Sequence, residues 1–216
     1  LAEIKAKPLL LYNSNFFKKF KNKVIVSGYK NNHLKKIAKK IGFKNIINKE
    51  YLSTNMVYSL FLTKKIINDD VVIVYGDVIF NENIFKLLKP KKDILPINVN
   101  WLENWKNRMS KTKILNDAEN LLIKNNNLLE IGTKIDRNKL PKYQFMGIIK
   151  LKKTSFIKCY KFFKKIKNNK IDMTSFLNLC LKNKIMSIET KKYRDYWYEV
   201  DTISDFKYAK KDISKW

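Results

Sequence analysis

The sequence predicts an α/β fold with a mixed, mostly parallel central sheet flanked by helices and an inserted β-hairpin region. Three observations carry this. The first half alternates short β-branched runs with segments of helical periodicity, the pattern of a layered sheet with crossover helices. Near its centre, Val71-Val72-Ile73-Val74-Tyr75 runs unbroken into Gly76-Asp77, and so reads as a strand buried on both faces in the middle of the sheet. In the second half the alternation gives way to two short apolar runs around a polar turn, then helices, then two more strands.

Taken in order, Val24 to Ser27 is a short strand ending at Gly28. Residues Asn32 to Ile41 have helical spacing, and Gly42 supplies the C-terminal stop. Lys44 to Ile47 is a second strand, and Tyr51 to Asn55 is polar and loop-like. Met56 to Ile67 is helical, Val71 to Tyr75 is the central strand, and Asn83 to Leu88 is a short helix stopped near Pro90. A strand follows over Asp93 to Val99. Asn120 to Ile123 and Leu128 to Ile131 flank the polar turn Lys124 to Asn127, a hairpin. Tyr143 to Leu151 is a strand interrupted at Gly147. Thr154 to Ile166 and Met173 to Leu181 are amphipathic helices, Ile185 to Ile188 and Tyr196 to Val200 are strands, and Ser204 to Lys210 closes the chain as a helix. With no internal repeat and no linker, residues 1–216 parse as a single domain.

Composition narrows the function. At 45% hydrophobic and 13% aromatic, 216 residues can bury a sizeable core. No apolar run reaches the length of a membrane span, so membrane insertion is not expected and a cytoplasmic protein is. The net charge of +27 invites a nucleic-acid reading. Against it, nearly all the basic residues are Lys, the arginines being Arg108, Arg137 and Arg194, and the lysines are spread from end to end. Solvated Lys faces with a general attraction for anionic substrates fit better. Cys159 and Cys180 are expected as buried thiols, and the one histidine, His33, supports neither a catalytic triad nor a histidine-rich metal site.

The chemistry concentrates at strand ends. Ligands of open α/β sheets bind beyond the carboxyl ends of the strands. Gly76 lets a ligand approach the backbone there, and Asp77 offers the hard oxygen that Mg2+ prefers. A second acidic strand end, Glu199-Val200-Asp201, lies far downstream. The plainer readings are a turn cap for Asp77 and an N-cap of the last helix for Asp201. Trp101, Trp105 and Arg108 share one face of a helix, with Asp117-Ala118-Glu119 soon after. Aromatic rings beside carboxylates suit a cationic head group, and equally suit plain core packing.

Read together, these motifs resemble the nucleotidylyltransferases of the sugar-phosphate and phosphocholine type, which have a Rossmann-like fold. Lys7-Pro8-Leu9-Leu10 is similar to the segment after that family's Gly-rich loop, and Val26-Ser27-Gly28-Tyr29 to its strand-end Gly-Tyr. Asn48-Lys49-Glu50-Tyr51-Leu52-Ser53-Thr54-Asn55 followed by Tyr58-Ser59-Leu60 resembles the cytidylyltransferase pattern Asn-x-x-Tyr-x-x-Thr-Asn then Tyr-Ser-Leu. Gly76-Asp77 matches the metal motif, Glu130 to Lys134 the hairpin Glu-x-x-x-Lys, Phe145-Met146-Gly147-Ile148 the acceptor wall, and Trp197 to Thr202 the closing Trp-x-Glu-Ile-Asp-Thr. The resemblance spans nearly the whole chain. One departure stands: the Gly-x-Gly-x-Arg loop is absent from this sequence, so the numbering is expected to begin inside the native chain, or the chain is an inactive relative.

The resemblance implies Mg2+-dependent transfer of a nucleotidyl group from a nucleoside triphosphate, CTP favoured, to a small phosphorylated acceptor, with release of pyrophosphate. It assigns Lys7, Asp77 and Asp201 to catalysis, the two aspartates as metal ligands. Gly28, Tyr29, Asn55, Ser59 and Gly76 fall to the nucleotide, and Trp101, Trp105, Glu119, Lys134, Gly147, Trp197 and Glu199 to the acceptor. A phosphocholine-like or aminoalkylphosphonate acceptor is favoured over a sugar 1-phosphate with UTP, dTTP or CTP. The rival readings are a basic nucleic-acid-binding protein and a nucleotide-binding pseudoenzyme.

Overall fold

The computed structural model describes residues 3–136 and 139–213. Arg137, counted above among the arginines, and the first two residues of the opening segment lie outside them. The described chain opens with a two-residue ladder, β1 (Glu3–Ile4) against β2 (Lys7–Pro8), and two short helices, α1 (Leu9–Tyr12) and α2 (Ser14–Lys18). Then come β3 (Val24–Ser27), α3 (Asn31–Lys40) and β4 (Lys44–Ile47), with β3 and β4 paired in parallel as a separate sheet. Helix α3 ends as the sequence predicts. Gly42 is left-handed at φ +74°, and the Phe43 amide returns to the Ala38 carbonyl at 2.8 Å.

Next follow α4 (Met56–Phe61), β5 (Val71–Val74), β6 (Val78–Phe80), α5 (Ile84–Leu87), β7 (Ile94–Asn98), α6 (Trp101–Lys106) and α7 (Lys111–Asp117). The second half supplies the hairpin β8 (Glu119–Lys124) and β9 (Asn127–Lys134), then β10 (Gln144–Phe145) and β11 (Ile148–Leu151). After these come α8 (Lys153–Ile166), α9 (Met173–Lys182), β12 (Ile188–Tyr193), β13 (Trp197–Glu199) and α10 (Ile203–Ile213).

Among the described residues, seven strands form the main sheet in the order β5-β11-β7-β12-β9-β8, with β10 also on β7. The sheet is mixed, as expected, but its balance is corrected: among the described residues only β7–β12 pairs in parallel within it. The reason is β11, which runs antiparallel between β5 and β7, and the β8–β9 hairpin, which adds two further antiparallel ladders. β5 is corrected too. Among the described residues it is hydrogen-bonded to β11 alone, at the end of the strand order, and all four of its residues are half-buried.

The β5 side chains still alternate between two cores. Val71 and Ile73 meet the cluster built by α4, α8 and α9 on one face. Val72 and Val74 meet the cluster built by α2, α5, α6 and α7 on the other. A third cluster joins Ile4, Ile79 and Tyr198 to Ala209 and Ile213 of α10, and so fastens the last helix to the β6–β13 pair.

Polar groups lock the layers. The buried Asp93 carboxylate, at the start of β7, accepts from the Lys152 amide at 2.6 Å and the Ser155 hydroxyl at 2.5 Å, capping α8 from another element. The strand β12 begins later than the Ile185 to Ile188 run predicts. Lys184 is left-handed, and the Ile185 amide returns to the Cys180 carbonyl at 2.9 Å, so these residues finish α9 rather than start β12. The two thiols are free and buried, as expected, and His33 is exposed in the first turn of α3. No helix among the described residues is long and apolar enough to cross a membrane.

Asn13, between α1 and α2, behaves as a surrogate strand for β6. Its amide donates to the Val78 carbonyl at 2.7 Å, and its side-chain carbonyl accepts from the Phe80 amide at 3.2 Å, all in a buried setting. Asn13→Ala strands both backbone groups. The expected loss, read from denaturant unfolding, is about 1–3 kcal/mol of stability; an unchanged midpoint would remove Asn13 from this role.

Candidate active site

Three residues, Tyr75 to Asp77, connect β5 to β6, and β6 pairs with β13. Glu199 lies opposite Val78 in that ladder, and the Val200 amide donates to the Asp77 carbonyl at 3.0 Å. The two distant aspartates are thereby brought together. Burial raises the Asp77 carboxyl above its usual range, and the neighbouring Asp201 carboxyl raises it further.

The N-cap reading of Asp201 is settled by its neighbours. Thr202 and Asp205 form the reciprocal cap of α10: the Thr202 amide donates to Asp205 Oδ2 at 2.8 Å, and the Asp205 amide donates to Thr202 Oγ1 at 3.3 Å. The Asp201 carboxylate is left over, exposed and facing Asp77. Partial desolvation, then the Asp205 charge, raise it.

Arg108 anchors this corner. Its side chain is almost fully buried, pairs with Asp205 through Nη1, and lies 3.5 Å from Glu199 through Nη2. Its guanidinium sits 5.5 Å from the centre of the Trp105 ring. The sequence placed Arg108 on the face of Trp101 and Trp105 but gave it no role. One of three arginines in a lysine-rich chain, on the same helical face as two tryptophans, was the available signal. Glu199 is pushed up to about 8 by burial and then by Asp201, against the pull of Arg108.

A second acidic group surrounds Tyr75. Burial raises its hydroxyl pKa strongly, and Glu119, Asp77, Asp172 and Glu199 add to this in that order. Gly147 seats the ring. It is left-handed at φ +70°, the Tyr75 amide donates to its carbonyl at 2.9 Å, and a Cβ there would stand 2.9 Å from the ring. Asp172, the N-cap of α9, was missed by sequence reasoning, although Asp-x-x-Ser before an apolar run is a cap signal. The Thr174 hydroxyl lies 3.0 Å from Asp172 and 2.9 Å from Glu119. Its single proton can serve only one of the two carboxylates at a time. Burial raises Glu119, whereas Asp172 is lowered because the Ser175 and Thr174 hydrogen bonds outweigh its burial.

The other predicted site residues divide. Trp101, Trp105 and Trp197 do not form an open aromatic box. They are 1%, 3% and 1% exposed and belong to the apolar cluster under the sheet. Trp101 and Trp105 meet edge to face at 5.1 Å, and the Trp197 indole donates to the Met146 carbonyl at 3.2 Å. Large rings at helical spacing were recruited by the core. Both polar ends of the Asn55 side chain are used internally: its oxygen accepts from the Met56 amide, and its nitrogen donates to the Lys170 carbonyl. Ser59 accepts from the buried Asn48, which also binds Thr54. The space at Gly28 is filled by Tyr51, whose side chain would stand 2.5 Å from a Cβ at that position.

Gly76, by contrast, is exposed, with nothing within 4 Å of where a Cβ would stand, and Tyr29 is 69% exposed. Lys134 is exposed at the end of β9, opposite Glu119 in the hairpin register. Lys7 is exposed with its ammonium 4.6 Å from the Tyr12 ring centre, and no ion pair among the described residues joins it to either aspartate.

Asp77 and Asp201 suit a hard divalent cation. Both offer carboxylate oxygens, the Asp201 charge raises the cost of ionising Asp77, and Asp77 Oδ1 is buried with no hydrogen-bond partner among the described residues. Among the described residues no group of three or more His, Cys, Asp or Glu converges in metal-binding geometry. Water and substrate oxygens would therefore complete the coordination, as is usual for Mg2+.

Glu199 gives a pH test. A carboxyl raised to about 8 from 4.5 stabilises the fold fully below the unfolded value, and that contribution is lost as pH rises through about 8. In melts without divalent ions, Glu199→Gln is expected to gain on the wild type between pH 6 and pH 9. A constant difference across that range would show that Glu199 ionises normally.

No family model matches the chain. It is 27% identical over 199 residues to the CTP:phosphoglutamine cytidylyltransferase of Campylobacter jejuni, covering 84% of this chain and 78% of that protein. Among solved structures it is similar to the inositol-1-phosphate CTP transferase from T. maritima, at a TM-score of 0.77 and 17% identity over 99% of this chain and 86% of that one. It is also similar to the CTP:phosphocholine cytidylyltransferase from Streptococcus pneumoniae, at a TM-score of 0.75 and 16% identity over 98% and 87%. The chain thus shares the fold of these nucleotidylyltransferases along nearly its whole length, and is similar in sequence to one cytidylyltransferase along most of it.

Proposed function

We propose that this chain is a Mg2+-dependent cytidylyltransferase that transfers CMP from CTP to a small phosphorylated acceptor carrying a primary ammonium group. The observation that carries the reading is the convergence of Asp77 and Asp201 at the end of β5, on a fold shared with the three CTP-named proteins above. An acceptor phosphate oxygen attacks the α-phosphorus of CTP, and the bond to pyrophosphate breaks. The protein's share is positioning and charge neutralisation. The metal, held by Asp77 and Asp201, would supply Lewis-acid neutralisation of the phosphate charge. Lys7 would offset charge on the triphosphate, and Lys134 would orient the acceptor's anionic end. The open surface at Tyr29 and Gly76 supports a nucleotide role for those two residues.

The acceptor reading rests on Glu119 and Asp172. A quaternary ammonium has no N–H and depends on ring faces, which the buried tryptophans do not offer. A primary ammonium has three donors, whereas Thr174 offers Glu119 and Asp172 one hydroxyl proton between them and the Ser175 amide serves Asp172 alone. An aminoalkylphosphonate or a phosphorylated amino acid, such as the phosphoglutamine named for the Campylobacter relative, fits this better than phosphocholine.

Pyrophosphate release over a grid of nucleoside triphosphates and acceptors tests the reading. CTP with an ammonium-bearing acceptor is expected to turn over, and Asp77→Asn or Asp201→Asn to lose roughly 10²-fold or more in kcat. Failure of every pair, together with nucleic-acid affinity that falls steeply with salt and ignores Asp77→Asn, would replace it with the nucleic-acid reading. Glu119→Gln should raise the acceptor KM far more than the CTP KM; equal changes would take Glu119 out of the acceptor site.

A further inference from the structure

A cavity of about 530 Å³ opens beneath the β8–β9 turn and shares no lining residue with the carboxylates around Tyr75. Its floor is apolar, from Ile97 and Ile123, and one wall is the Tyr143 ring. Lys142 and Lys192 each hold an ammonium 5.7 Å from the centre of that ring. Neither has a carboxylate partner among the described residues, whereas Lys191 on the same rim is paired with Glu189. The Thr190 hydroxyl donates to the Asn126 carbonyl at 3.0 Å and keeps its lone pairs.

We propose that this cavity is a second binding site, for a small phosphorylated ligand with a planar or apolar body. Two ammonium groups without carboxylate partners concentrate positive charge at this cavity, and an anion bound there offsets it. Lysine serves as a point-charge partner for phosphate. A bare phosphate would leave most of the space unfilled; a body against Ile97, Ile123 and the Tyr143 face occupies it, in the way small-molecule sites combine an apolar lining with a few polar groups. Lysines are common on this chain, but here the charge, the ring and the concavity coincide.

CMP is the probe, with inorganic pyrophosphate as the arm that lacks a body, and amide chemical shifts are the readout, so no turnover is needed. CMP is expected to shift the Tyr143, Thr190 and Lys192 amides saturably and to bind more tightly than pyrophosphate. Lys142→Gln with Lys192→Gln should weaken that response roughly tenfold, and Lys39→Gln with Lys40→Gln on α3 should leave it unchanged. Equal loss in both double variants, equal affinity for CMP and pyrophosphate, or shifts that spread over the lysine-rich surface without saturating would each overturn the proposal.

Discussion

The hydrogen-bonded pairing of β6 with β13 is the constraint on which the site depends. It brings Val200 onto Asp77 and so forces two carboxylates of like charge into one corner, more than a hundred residues apart in the chain. Everything around the ladder resists its opening. Asn13 closes the free edge of β6, Ile79 and Tyr198 bury their side chains against α10, and Arg108 ties the start of α10 back to the end of α6. Raised carboxyl groups at Asp77, Glu199 and Asp201 are the electrostatic cost of that pairing, which a divalent cation would relieve.

Arg108 shows how the corner tolerates its charge. One buried guanidinium serves Asp205 directly and Glu199 at longer range. Asp205 is held below its usual range because hydrogen bonds from Thr202 and Arg108 outweigh its burial, while Glu199 is not. Since Asp205 and Thr202 cap α10 between them, that cap does not use the Asp201 carboxylate. Three acidic residues within one short segment thus have three different environments.

Tyr75 links this corner to the second acidic group. The left-handed Gly147 lets the ring lie against the interrupted strand, between the aspartate pair and the Glu119–Asp172 pair. The carboxylates, not the tryptophans, carry the polar character of this region, and carboxylates reward N–H donors where ring faces do not.

Much of this was legible in the residues themselves. Element positions followed from periodicity and from stop signals such as Gly42, and Gly76-Asp77 and Glu199-Val200-Asp201 stood out as acidic strand ends. What the sequence could not decide was partnership. Parallel or antiparallel pairing of β5, the burial of Trp101, Trp105 and Trp197, the internal use of Asn55, and the gathering of Asp172 with Glu119 all depend on contacts between residues far apart in the chain. Local chemistry sets which conformation a segment prefers and which groups are able to react. Only the packed sheet sets which of those groups face one another, because that choice is made by long-range burial and hydrogen bonding, which leave no local imprint on the sequence.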